Sequence, residues 1–158
     1  MAIKRENVYV ETSIISFLAA RPTRDVVNLA KQEVTREWWQ SHRPRFNLYI
    51  SAAVVAEIKR GDAEAAKQRL MLIRGLPELD INDEVTYLYE RLIAGRVVPA
   101  TAVADALHIA VAAVHGITYL LTWNCTHINN AFQKPRIRAA IIRAGYEEPI
   151  MATPEELI

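Results

Sequence analysis

Apolar positions along this chain follow two rhythms. Val8-Tyr9-Val10 is continuous, where a half-exposed strand would alternate apolar with polar residues, so it reads as a strand buried on both faces. Between such runs lie longer stretches with helical spacing and helical punctuation. The pattern predicts a strand at about 7–11, helical sequence from Ser13 to about Ala20, and a break at Arg21-Pro22-Thr23. A second helix is expected over roughly 25–42, with Asp25 near its start; Pro44 disfavours helix at Arg43 and ends it. Phe46 to Ile50 is the next strand. Ser51 stands where an N-cap belongs, before AAVVAEIKR, and Gly61 closes that helix. Asp62 caps a helix to about Arg74, broken by Gly75 and Pro77. Leu79 to Ile81 is a short strand, Asp83 opens a helix to about Gly95, and an Ala-rich helix fills about 100–115 before Gly116. Thr118 to Thr122 is a strand, 129–144 a helix ending at Gly145, and Ile150 to Ala152 an edge strand. Strands separated by helices predict an α/β fold: a mainly parallel sheet of four to five strands with helices on both faces.

The 158 residues suit one domain, expected to span 1–158, with no repeat or linker. A composition 51% hydrophobic and 23% charged is that of a globular chain. The net charge of +1 provides no global field for nucleic acid or membrane, so any such partner must be recognised locally. MAIKRENVYV lacks the apolar core of a signal peptide, and no apolar run approaches the roughly 18 residues of a membrane span. A single cysteine, Cys125, excludes an internal disulfide. The expectation is a soluble cytoplasmic protein with no membrane partner.

Acids in apolar surroundings carry the candidate chemistry. Parallel sheets bind ligands beyond the carboxyl ends of their strands. There the first strand ends at Glu11, the second at Ser51, and the fourth at Thr122 and Asn124. In AVADALHIAVAAV, residues 102–114, only Asp105 and His108 are polar, and a helix apolar all round is a buried one. Glu57 lies among Ala52 to Ala56 and Ile58. Each acid alone also fits a helix cap or a single buried ion pair. If Glu11, Glu57 and Asp105 converge, two carboxylates about 5 Å apart repel by roughly 3 kcal/mol at an effective dielectric near 20. A cation among them relieves this, and oxygen-only ligands with open positions suit Mg²⁺ or Mn²⁺. Such an ion polarises a phosphodiester and activates water.

VYVETSIIS, SAAVVAEIKRGD, ATAVADALHIAVAAVHG, YLLTWNCTHI and ATPEEL, in that order, resemble the motifs of PIN-domain nucleases, most closely the VapC-type toxins of bacterial toxin–antitoxin pairs. The resemblance covers nearly the whole chain. It implies a three-layer α/β/α sandwich and Mg²⁺- or Mn²⁺-dependent RNA cleavage. It also implies inhibition by a cognate antitoxin and a homodimer. Carried over residue by residue, it makes Glu11, Glu57 and Asp105 catalytic ligands. Two positions depart from the family pattern. Glu11 replaces the usual Asp and reaches one methylene further. Asn124 stands at the usual fourth acid, which removes a charge, lowers the expected metal affinity and puts a two-metal site in doubt.

Supporting roles fall to Thr12 and Ser13, which would hold the Glu11 carboxylate or a metal-bound water, or cap the next helix; to Thr122, which would orient a ligand or merely end a strand; and to His108, one turn from Asp105. His127 is a further candidate to fill the gap at Asn124. Cys125 and His127 give only a superficial hint of a thiol nucleophile, with no third orienting group. Trp38 and Trp39 could stack on RNA bases but suit the core better. Lys134, Arg136, Arg138 and Arg143 read as a solvated face that could also meet phosphates. A degenerate RNA- or protein-binding module and a small phosphatase or phosphotransferase remain as alternatives to the ribonuclease.

Overall fold

A computed structural model describes residues 4–158. Five strands, β1 (Glu6–Val10), β2 (Phe46–Ser51), β3 (Glu78–Leu79), β4 (Tyr119–Leu121) and β5 (Ile150–Ala152), form one sheet in the order β3-β2-β1-β4-β5. Every neighbouring pair is parallel. The helices are α1 (Thr12–Ala19), α2 (Val26–Glu37), α3 (Ala52–Ile58), α4 (Ala63–Leu72), α5 (Asp83–Ala94), α6 (Val103–Val114) and α7 (Lys134–Arg143). Helix α1 packs against α2 and α4, while α5 packs against α6 and α7, which builds the two outer layers of an α/β/α sandwich.

The continuous apolar run of β1 follows from its central place. Val8 is paired with Leu48 on one side and Tyr119 on the other, and Val8, Tyr9 and Val10 are wholly buried. Helix α6 is enclosed as well, with Ala106, Ile109, Ala110, Val111 and Ala112 at zero exposure. Its alanines let neighbouring backbones come close. The strand order reverses between β1 and β4, because the chain builds outward to β3 and then returns to the other edge of β1. That switch point, beyond the carboxyl ends of these two strands, is where parallel α/β sheets place their ligand crevice.

Several boundaries differ from those the sequence predicts. The helix expected over 25–42 is α-helical only to Glu37; a π-helical turn, Trp38–His42, and a 3₁₀ turn, Arg43–Arg45, follow it. The wider turn lets two consecutive indoles face inward. Trp38 is fully buried and its Nε1–H donates to the Leu157 carbonyl (3.2 Å), while the Arg43 guanidinium lies 4.5 Å from the Trp39 ring. Both tryptophans therefore serve the core. Helix α7 starts at Lys134 instead of 129, since Asn124 and Asn130 organise turns through residue 133. Asn82, one residue before the expected Asp83, caps α5 by accepting from the Val85 N–H (3.0 Å). The third strand is Glu78–Leu79, shifted towards the N-terminus and cut to two residues.

Candidate functional site

Glu11 follows β1 directly and is the N-cap of α1. Its backbone N–H still donates to the Leu121 carbonyl (3.1 Å), so it is locked beside the end of β4. Its Oε2 accepts from the Ser13 N–H (3.1 Å), the Ser13 hydroxyl (2.5 Å) and the Thr122 hydroxyl (2.7 Å). Ser13 Oγ in turn accepts from the Trp123 N–H (2.8 Å), and Thr122 Oγ1 from the Asn124 N–H (2.9 Å). Of the two readings for Ser13 and Thr122, holding the acid is the one observed. The cap is Glu11 itself, which is the structural role open to a lone acid at this position.

Glu57 is at the end of α3. Its Oε1 accepts from His108 Nε2–H and from the Thr12 hydroxyl (3.0 Å), so Thr12 holds Glu57, and not Glu11 as the sequence suggested. The other ring nitrogen of His108, Nδ1, hydrogen-bonds the Tyr9 hydroxyl (2.7 Å), which also bonds Ser51 Oγ (2.8 Å). Ser51 thus spends its hydroxyl across the sheet and makes no side-chain cap for α3, although it occupies the N-cap position. Ser51, Tyr9 and His108 are all wholly buried, so the chain Ser51–Tyr9–His108–Glu57–Thr12 runs from the interior to the crevice. Asp105, in the first turn of α6, accepts through Oδ2 from His127 Nδ1–H (2.9 Å).

The electrostatics follow from this arrangement. Burial pulls the His108 pKa down, but the Glu57 hydrogen bond and the charges of Glu11, Glu57 and Asp105 more than reverse it, leaving it above the ordinary histidine value. All three acids therefore act on one imidazole. Burial pushes Glu57 up, yet the hydrogen bond and charge of His108, the Thr12 hydroxyl and the Arg60 charge bring it below the usual carboxylate range. Burial raises the Tyr9 phenol; Ser51 opposes this, and the charges of Glu11 and Glu57 add to it. Among the described residues no lysine or arginine forms a salt bridge with any of the three acids.

Each carboxylate is held by protein donors through one oxygen: Oε2 of Glu11, Oε1 of Glu57 and Oδ2 of Asp105. The second oxygen of each takes no protein hydrogen bond among the described residues and is not an orphaned buried atom. Each acid thus offers one uncommitted carboxylate oxygen, a hard donor of the kind that suits Mg²⁺ or Mn²⁺. As the side chains stand, no group of three or more His, Cys, Asp or Glu among the described residues is drawn together enough to hold a metal ion. Asn124 directs Oδ1 to the His127 N–H (3.0 Å), so its first service is to the turn that carries His127.

Pattern reading missed Tyr9, the turning of Ser51 to Tyr9 in place of a helix cap, and the pairing of His127 to Asp105. Tyr9 carries no signal in the sequence, because a tyrosine in a central strand looks like any core aromatic. His127 turns to Asp105, while Cys125 is exposed and its backbone N–H serves a turn, so no thiol–imidazole pair forms. No family model matches the chain, and no curated protein matches it. Among the described residues no helix is long and apolar enough to cross a membrane.

Proposed function

We propose that this crevice binds Mg²⁺ or Mn²⁺ and hydrolyses RNA phosphodiester bonds. Glu11, Glu57 and Asp105 would hold the ion, with Asn124 as an auxiliary oxygen ligand through its remaining lone pair. The observation carrying this reading is the shared state of the three acids: at the carboxyl edge of the sheet, each has one oxygen tied down and one without a protein donor. Bound by these residues, a divalent ion would supply Lewis-acid polarisation of a phosphodiester and activation of water. The protein's own part is positional. Ser13 and Thr122 orient Glu11, His108 and Thr12 orient Glu57, and His127 orients Asp105. The resemblance to VapC-type toxins adds a cytoplasmic homodimer restrained by a cognate antitoxin.

Cleavage of single-stranded RNA with and without Mn²⁺, run beside small phosphate esters, tests the proposal. Asp105→Asn and Glu57→Gln should each lower RNA cleavage by roughly 100-fold or more while remaining folded. Parent-like activity in both variants overturns the ligand assignment, and hydrolysis confined to small esters reassigns the crevice to a phosphatase. One observation favours a second reading, a degenerate RNA- or protein-binding module: Asn124 Oδ1 is turned to the His127 N–H. Under that reading no preparation cleaves RNA, with or without metal.

A further inference from the structure

Helix α7 carries four basic residues, and the fold sorts them. Arg138 turns to Glu148, with Nε 3.9 Å from Oε2, and the Lys134 charge also acts on Glu148. Arg136 and Arg143 are seven positions apart, two helical turns, so they share the opposite service. With the intervening Ala140, they line a cleft of about 440 Å³ between α7 and α5. On the α5 side stand Tyr87 and Arg91, one turn apart, with the Arg91 guanidinium 5.0 Å from the tyrosine ring centroid.

The cleft has an unbalanced charge. Three guanidinium groups line it and no carboxylate does. None of the three arginines is in a salt bridge among the described residues. In a chain of net charge +1 this is a local concentration. Low-dielectric walls of small residues focus its field, and the guanidinium fork matches phosphate oxygens. Tyr87 adds an aromatic face, 46% exposed, beside the cations. Cationic groups interleaved with a stacking ring are the parts of a single-stranded nucleic-acid contact, whereas inorganic phosphate needs only the charges.

We propose that the α5–α7 cleft binds the phosphodiester backbone of single-stranded RNA, with Tyr87 stacking on a base. The site is separate from the acidic crevice, although α5 packs on α6, the helix of Asp105. Naming RNA as the source of the phosphate rests on the ribonuclease reading.

The test is fluorescence anisotropy of the full chain with a labelled single-stranded RNA oligonucleotide in EDTA, over a salt series. Arg136→Ala/Arg143→Ala should raise the Kd about tenfold at low salt and flatten the log–log salt slope by roughly 1.4, the value for two lost single-strand contacts. Arg138→Ala should change the Kd by no more than about twofold, because that side chain faces Glu148. Tyr87→Leu should weaken normal RNA more than an oligonucleotide lacking bases. Unchanged affinity and slope in the double variant overturn the proposal. Displacement of RNA by inorganic phosphate as readily as by a nucleoside monophosphate also overturns it, in favour of a free-anion site. Binding in EDTA is read without catalysis, so a chain that never cleaves RNA sinks only the ribonuclease reading. Cleavage with unaltered binding in the double variant sinks only the cleft.

Discussion

His108 is wholly buried, yet both its ring nitrogens are engaged, by Tyr9 and by Glu57. Tyr9→Phe keeps the ring and deletes only the hydroxyl, which leaves Ser51 Oγ and His108 Nδ1 short of a partner. The variant should lose about 1–3 kcal/mol by urea denaturation. The pair also sets a pH dependence. The folded pKa of His108 is raised above the ordinary histidine value of 6.5, so its contribution is full below 6.5 and is lost as pH rises through the folded value. Glu57 is lowered from 4.5, so its contribution is full above 4.5 and is lost as pH falls through its folded value. Thermal midpoints recorded without divalent ions should therefore plateau between those limits and decline on both sides. His108→Gln should abolish the alkaline decline attributable to this pair. At this scale the sequence was informative only where an acid broke an apolar run. Glu11, Glu57 and Asp105 stood out against such surroundings, while Tyr9 did not and Ser51 read as a strand end and helix cap, because the Ser51–Tyr9–His108 bonds join partners 42 and 99 residues distant.

Elements were legible where local chemistry dictates them. Asp25 and Asp62 cap α2 and α4 as their positions predict, accepting from the Asn28 and Ala65 N–H groups (2.8 and 2.9 Å). Gly61, at φ 84°, takes the left-handed conformation expected just beyond α3. Boundaries failed where distant contacts decide them. The π turn at Trp38 answers to a core that includes Leu157, and the late start of α7 answers to asparagine-built turns. The join between β4 and α1 is a tertiary staple of the same kind. Ser13→Ala removes a donor to Glu11 and the acceptor of the Trp123 N–H, so it should cost about 1–3 kcal/mol. Hydrogen exchange should then quicken first at Trp123.

For the whole molecule, the alternation of short strands and capped helices was enough to predict the three-layer architecture, since few arrangements bury such a pattern. Strand order was not predicted, because helical connections of similar length permit several. The dense packing around α6 makes a simple prediction. Ala110, at zero exposure, has no room for the three carbon atoms that leucine adds, and Ala110→Leu should cost about 1–3 kcal/mol. In a chain of this size that lowers the calorimetric Tm by roughly 2–4 °C per kcal/mol.

The central strand has a temporal consequence. β1 is the first strand in the sequence, but its second neighbour, β4, begins only at Tyr119, and the Thr122–Glu11 hydrogen bond bridges 111 positions. During synthesis, β1 and β2 can meet early while the other flank of β1 stays open until β4 has left the ribosome. The acidic site is thus completed only once Thr122 has emerged, and a nascent chain stalled before it holds Glu11 through Ser13 alone.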